Sequence, residues 1–299
     1  MNVVVAGGTG LLGEAIVQAM LDAGHTVSVL SRSGSRDPRV RSLRGDVTRP
    51  ETLRGLLDGQ DVVVDAVQFP NSPVENPKKG YTFERFDLGG TRNLVDAAKA
   101  SGVEHFIGLS GAGAAPDARY HWLRYKWEEE QYIKESGLSY TIFRPSWVYG
   151  PRDHSLNRFL GFARFLPFVP VIGDGKTRLN PLFVGDLARH AAAAVTNPRA
   201  RNRLFEIGGP EVLTMDDIIR TALRVAGKRR FLLHQPAGLM KAVAAIAQHL
   251  PGRPLTPDAI DFILMDPVCD NTELQQVFGL PLTPLAEGLA TYLGPRGWP

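Results

Sequence analysis

The sequence predicts an α/β protein: a doubly wound parallel sheet with a smaller, mainly helical C-terminal lobe. Short apolar runs of strand length alternate with stretches of helical periodicity, and the first run ends at a glycine-rich turn. In the last third the alternation gives way to short helical pieces divided by prolines. With 299 residues, 43% of them hydrophobic, the chain can bury one large core or a core with an attached lobe.

Taken in order, the strand-like runs are 2–6, 26–30, 61–66, 105–109, 139–143 and 204–207, with an arginine-containing segment before Gly45 as a further strand. Helical patterns occupy 11–23, 50–57, 81–101, 120–136 and 186–195, and Thr48 is the candidate N-cap of the second. Gly24, Gly102 and Gly137 each follow a helical stretch, where a left-handed cap residue is easiest to accommodate. Residues 1–150 form the sheet core. The stretch 151–180, punctuated by Pro151, Pro167, Pro170, Gly173 and Gly175, reads as an excursion toward a substrate. Residues 181–210 return to the core, and 211–299 form the mainly helical substrate lobe.

A formal charge of +3, with both signs interspersed, argues against nucleic-acid binding, and the cluster Lys228-Arg229-Arg230 reads as a solvated surface. Cys269 stands alone, which excludes an intrachain disulfide and fits a reducing compartment. No run approaches the ~20 apolar residues that cross a bilayer, and the sequence reads as cytoplasmic, without a leader. No metal is expected: Gly173-Asp174-Gly175 resembles a turn, with no nearby cluster of carboxylates and imidazoles.

The strongest motif is Gly7-Gly8-Thr9-Gly10-Leu11-Leu12-Gly13, between the first strand and an amphipathic helix. Glycine at 7, 10 and 13 permits a tight turn, close approach of a pyrophosphate and tight helix-on-strand packing, while free N–H groups at the helix terminus face the anion. This is the phosphate loop of a Rossmann-type dinucleotide site. The second strand ends in Ser31-Arg32-Ser33, where an NAD-selecting site places a carboxylate. A guanidinium flanked by hydroxyls suits a 2′-phosphate, so NADP(H) is preferred and NAD(H) remains possible. Asp46 and Val47 are positioned to meet the adenine, although Asp46 also suits a local cap. Ala66, Val67 and Gln68 lie at the end of the fourth strand, beside the expected ribose and nicotinamide.

These pieces, with Gly45-Asp46-Val47, the 90–98 stretch, Leu109-Ser110, Arg144-Pro145-Ser146-Trp147-Val148-Tyr149-Gly150 and the 180–188 stretch, resemble an atypical extended short-chain dehydrogenase/reductase. The resemblance lies close to the NAD-dependent epimerase/dehydratase and NmrA-like groups and covers about residues 1–210. It implies that Ser110 orients a substrate oxygen, that Lys126 contacts the nicotinamide ribose, and that Pro145 and Val148 border the cofactor.

The resemblance also implies a Tyr four residues before the Lys, as the proton donor or acceptor for hydride transfer. That position is Trp122, whose indole donates one hydrogen bond and does not titrate. Tyr120 and His121, at the helix start, are the substitute donors, with Tyr149 and His154 further candidates; Arg152 suits an anion. Aromatic residues of the substrate region, Trp147, Phe159, Phe162, Phe165, Phe168 and Phe183, suit an apolar acceptor or a plain core.

Three functions stay open: an NADP(H)-dependent oxidoreductase on an apolar or quinone-like acceptor, a non-catalytic dinucleotide-binding sensor or assembly factor, and a nucleotide-sugar epimerase/dehydratase. The partner is a small-molecule substrate or ligand, and the chain is a monomer or homodimer. Glu128-Glu129-Glu130 is expected mainly on the outside of its helix.

Overall fold

A computed structural model describes residues 1–70, 72–153, 156–249 and 255–294. Its centre is a seven-stranded, wholly parallel sheet built from β1 (Asn2–Ala6), β2 (Thr26–Ser31), β3 (Arg41–Arg44), β4 (Val62–Asp65), β5 (His105–Leu109), β6 (Ser139–Pro145) and the strand Arg203–Ile207. From the last strand across to β3, the order is Arg203–Ile207, β6, β5, β4, β1, β2, β3. The chain starts in the middle and winds outward both ways. The crevice between β1 and β4 is therefore where connections diverge, which is where such sheets bind ligands.

Strand alternation divides the core into two layers. Val3 and Val5 of β1 pack against α1 (Leu11–Asp22) and α5 (Val184–Thr196) through Ile16, Met20, Leu187 and Ala191. Val4 and Ala6 face the other way, onto α2 (Gly89–Ala100) and α3 (His121–Glu135) through Leu94, Val95, Ala98 and Ile133. Gly24, Gly102 and Gly137 take positive φ just after helices, as their positions predicted.

Two predicted helices are altered. The one expected over 50–57 is a single 3₁₀ turn, Pro50–Thr52, because Gly55 at φ 69° breaks it; Thr48 does not cap it, since its hydroxyl donates to Asp46. The one expected over 81–101 enters through a π-helical turn, Glu84–Leu88, before α2 begins. That extra residue in the turn buries both Phe86 and Asp87.

The excursion and the lobe share a core of their own. Helix α4 (Leu156–Phe165) packs with α6 (Met215–Val225) and α10 (Leu285–Ala290), and the strand Phe168–Ile172 pairs in parallel with Phe231–Gln235. A capping box at Thr214 and Asp217 starts α6. Helices α7 (Ala237–Ala247), α8 (Pro257–Ile263) and α9 (Thr272–Phe278) complete the lobe, and α9 packs back onto the sheet.

Candidate dinucleotide site

The glycine loop is built as its spacing requires. Gly7 adopts φ 76°, and a side-chain carbon there would lie 2.6 Å from the Ala66 carbonyl oxygen. A carbon at Gly13 would fall 2.1 Å from the Gly7 oxygen, so α1 can approach the loop only through a glycine. Gly10 meets only its own turn and, with Thr9, is exposed at the start of α1, which has no side-chain cap. Leu12 turns into the core, and Leu11 is half-buried. The N-terminal N–H groups of a twelve-residue helix thus stand beside an open backbone, the arrangement that receives a pyrophosphate.

Around the adenosine end, Arg32 is exposed, and its guanidinium sits 5.7 Å from the centre of the Phe86 ring. Ser33 is exposed beside it, while Ser31 Oγ is buried and has no partner among the described residues. An orphaned hydroxyl at this position fits a ligand hydroxyl or phosphate. Asp46 Oδ1 accepts from the Thr48 backbone and hydroxyl at 2.9 and 2.8 Å, closing a local turn, and the Val47 carbonyl accepts from Asn93. Ala66 is buried under Gly7; Val67 donates its N–H to Asp65, and Gln68 projects into solvent. Pro145 accepts from Ala112 at the end of β6, and Val148 packs on the sheet core. The residues present therefore fit a dinucleotide: the glycine loop for pyrophosphate, Ser31, Arg32 and Ser33 for the adenosine ribose, and Ala66 to Gln68 along its path.

The chemistry end is different. Lys126 points inward, 2.8 Å from Asp87 Oδ1 and 3.0 Å from Glu129 Oε2, and donates to the Leu109 carbonyl at 3.4 Å. Against the cost of burial, Asp87 and Glu129 hold its ammonium above the ordinary lysine range. Burial also raises the carboxyls of Asp65 and Asp87, and pushes Glu129 up to about 8 despite the opposing pull of Lys126. Three buried carboxyls thus crowd one ammonium, and burial favours their protonated forms. Asp65 accepts from Thr91 Oγ1 at 2.7 Å, whereas Asp87 Oδ2 and Glu129 Oε1 have no partner among the described residues. Beside them lies a pocket, lined by Asp65, Thr91, Ser110, Glu129 and Glu130, with room for about one water.

The acidic run is thus not a solvated face. Only Glu128 is partly exposed; Glu129 is 4% and Glu130 0% exposed. Three consecutive helical residues span about 200° of arc, so one run cannot share one face. Glu130 is fixed by Arg144 in a two-pronged pair at 2.7 and 2.6 Å, and accepts the Ser110 hydroxyl at 2.5 Å. Asp65, Asp87 and this pair escaped the sequence reading, whose one signal for them was charge inside otherwise apolar stretches.

Trp122 is 4% exposed in an aromatic cluster with Phe69, Phe83 and Phe86. It stacks on Tyr120 at 4.6 Å and 4°, and meets Phe262 of α8 at 6.1 Å. The Tyr120 hydroxyl donates to Asp261 of α8, which also takes Lys241 of α7, and burial raises its pKa. His121 Nε2 lies 3.0 Å from Glu75 Oε2. Tyr149 is buried in the lobe core with its hydroxyl on the Leu285 carbonyl, and burial raises its pKa. Arg152 pairs with Glu14 in the first turn of α1. Trp147 packs on the lobe core, whereas Phe162 and Phe165 are exposed. His154 and the Phe159 side chain lie outside the described residues. Among those described, no group of three or more His, Cys, Asp or Glu could hold a metal ion, and no helix is long and apolar enough to cross a membrane.

A family model described as NAD(P)H-binding matches residues 7–159, just over half the chain, and one for the NAD dependent epimerase/dehydratase family matches 120–208. The chain belongs to the NAD(P)H-binding family, within the extended short-chain dehydrogenase/reductase group.

Three relatives frame its range. An NAD(P)H azoreductase of Xenophilus azovorans is 27% identical over 235 residues, 76% of this chain and 74% of that protein. The photosystem II assembly factor Ycf39 of Cyanophora paradoxa is 28% identical over 256 residues, 81% and 74% of the two chains. NADH dehydrogenase [ubiquinone] 1 alpha subcomplex subunit 9, mitochondrial, of Arabidopsis thaliana is 26% identical over 253 residues, 81% of this chain but 62%, less than two thirds, of that protein.

Proposed function

We propose that this chain is a non-catalytic dinucleotide-binding protein, a redox sensor or an assembly factor, that holds NADP(H) in preference to NAD(H). The observation that carries the reading is that all three positions of the family's chemistry are engaged within the protein. Ser110 donates to Glu130, Lys126 is clamped between Asp87 and Glu129, and the tyrosine position holds a buried Trp122 stacked on Tyr120. When bound, the cofactor would present either an oxidised or a reduced nicotinamide, and unequal affinity for the two forms would let the protein register the redox state of the pool. The likeness to an assembly factor supports the reading, and the cationic Arg32 beside the Ser31 hydroxyl supports the preference for a 2′-phosphate.

A second reading is an oxidoreductase acting on an apolar, quinone-like or azo acceptor, favoured by the azoreductase likeness and by the aromatic cluster at the start of α3. Calorimetric titration with NADPH and NADH, followed by NADPH-oxidation assays with quinone and azo-dye acceptors and by product analysis after incubation with nucleotide sugars, separates the readings. Saturable binding, tighter for NADPH, with no oxidation above the protein-free rate is the expected result. Sustained multiple turnovers on a quinone or azo acceptor replace the first reading with the second, and conversion of a nucleotide sugar without net cofactor consumption replaces it with the epimerase/dehydratase class.

A further inference from the structure

The lobe carries a surface that the dinucleotide site does not use. Two stretches, 154–173 and 218–257, contain nine Lys or Arg and not one Asp or Glu. The fold brings them together. Phe231–Gln235 pairs with Phe168–Ile172, and Arg230 Nε donates to the Ala163 carbonyl at 3.0 Å, tying the C-terminal end of α4 to the start of that ribbon.

Among the described residues, these same stretches hold the greater part of the exposed large hydrophobic side chains. Leu232 packs into the lobe core, so strand alternation turns its neighbours outward: Phe231 is 80% and Leu233 45% exposed. Phe165, at the end of α4, is 80% exposed and lies under the Arg164 guanidinium. After Pro236 the chain enters α7, which buries Ala244 and turns the opposite side outward; there Leu239 is 60%, Val243 47% and Ile246 74% exposed. Those three follow i, i+4, i+7 spacing, a single apolar stripe on the outer side of a helix, where a helix facing water carries polar residues.

We infer that this face docks on an anionic lipid surface, with the apolar side chains seated at the headgroup boundary and the basic ones on lipid phosphates. Charge decides among the possible occupants. A second copy of the chain meeting this face through a two-fold axis would set basic against basic. A nucleic acid would answer the charge and leave the aliphatic stripe of α7 in water. An anionic bilayer answers both at once. Two carboxylates on neighbouring elements are matched, Asp216 to Arg220 and His234 and Asp261 to Lys241, and Asp258 at the start of α8 is exposed. Arg164, Arg224 and Arg229 stand exposed.

The inference is independent of whether the bound dinucleotide turns over. Its test is co-flotation of the full chain with vesicles of phosphatidylcholine alone or with one third phosphatidylglycerol, at low and at 0.5 M salt. Expected is binding to the anionic vesicles at least tenfold tighter than to the neutral ones, and weakened by salt. Val243→Glu with Ile246→Glu, at exposed positions where refolding is unaffected, should lose at least tenfold. Arg164→Gln with Arg229→Gln should lose the salt-sensitive part, while thermal unfolding and NADPH binding stay unchanged. No association with anionic vesicles, or association that ignores both pairs of substitutions, overturns the inference. So does light scattering that shows a dimer dissolved by the α7 pair, which would make the face an interface between copies.

Discussion

Lys126 Nζ lies 2.8 Å from Asp87 Oδ1, and that contact joins the third helix of the sheet core to the π-helical turn preceding the second. Both side chains are buried, so neither charge is solvated without the other. Lys126→Met should therefore cost about 3–5 kcal/mol, since it strands Asp87 and Glu129 as uncompensated carboxylates. Urea unfolding measures it. A loss below about 1 kcal/mol, the range of an exposed pair, would mean that Lys126 is free to serve the cofactor instead.

The same cluster makes stability depend on pH. Glu129 titrates at about 8 in the fold against an ordinary 4.5, so between those values the folded cluster holds a proton that the unfolded chain has released. Its contribution is full below about 4.5 and is lost as pH rises through about 8. Glu129→Gln should flatten that alkaline decline in melting temperature, and an unchanged slope would remove the buried proton from the cluster.

His105 acts in the opposite direction. It is fully buried between Ser139 Oγ and Thr141 Oγ1, and burial lowers it to about 3 from 6.5. Between those values the unfolded chain binds a proton that the folded one refuses. Stability is present above 6.5 and is lost as pH falls toward 3, by an amount on the order of 3–5 kcal/mol. His105→Asn should blunt the acid limb; chemical denaturation at pH 4 and pH 7 reads the difference.

The parallel sheet and the phosphate loop were legible in the sequence because each is written locally. Gly7, Gly10 and Gly13 act through backbone alone, at a fixed spacing that no distant residue alters. The charged interior was not legible. Asp65, Asp87 and Glu129 come from three separate elements, and their meeting is a property of the packed layers rather than of any short pattern. Glu129 and Glu130 misled because a run of like charges normally faces water, whereas here each turns inward onto a cation, Lys126 for one and Arg144 for the other. The Phe69, Phe83 and Phe86 cluster around Trp122 was hidden for the same reason: its members come from one loop and the π-helical turn, which only the fold brings to α3.

Cofactor selection should rest on Arg32. Arg32→Ala is expected to weaken NADPH binding at least tenfold, about 1.4 kcal/mol, with little effect on NADH. Arg32→Asp should invert the preference, because a carboxylate repels a 2′-phosphate and accepts from a ribose hydroxyl. Equal losses for the two cofactors in calorimetric titration would assign Arg32 to packing on Phe86 rather than to recognition.

Trp122→Tyr restores the residue that the family's chemistry uses, four positions before Lys126, and so asks whether that one change suffices. The smaller ring gives up part of the stack on Tyr120 and the contact with Phe262, at a cost of about 1–3 kcal/mol. A phenol becomes a useful proton donor only if a neighbouring cation lowers its pKa, and Lys126 is committed to Asp87 and Glu129. Burial among Phe69, Phe83 and Phe86 acts the other way and raises it. The variant should therefore bind NADPH as the parent does and still show no oxidation above background with quinone or azo acceptors. Releasing the lysine as well, with Trp122→Tyr in an Asp87→Asn, Glu129→Gln background, removes the two carboxylates that Lys126 touches and leaves only Asp65 near it. Activity that emerges only in the triple variant would locate the block in the clamp on Lys126; activity in the single variant would locate it in Trp122 alone and make the clamp compatible with turnover.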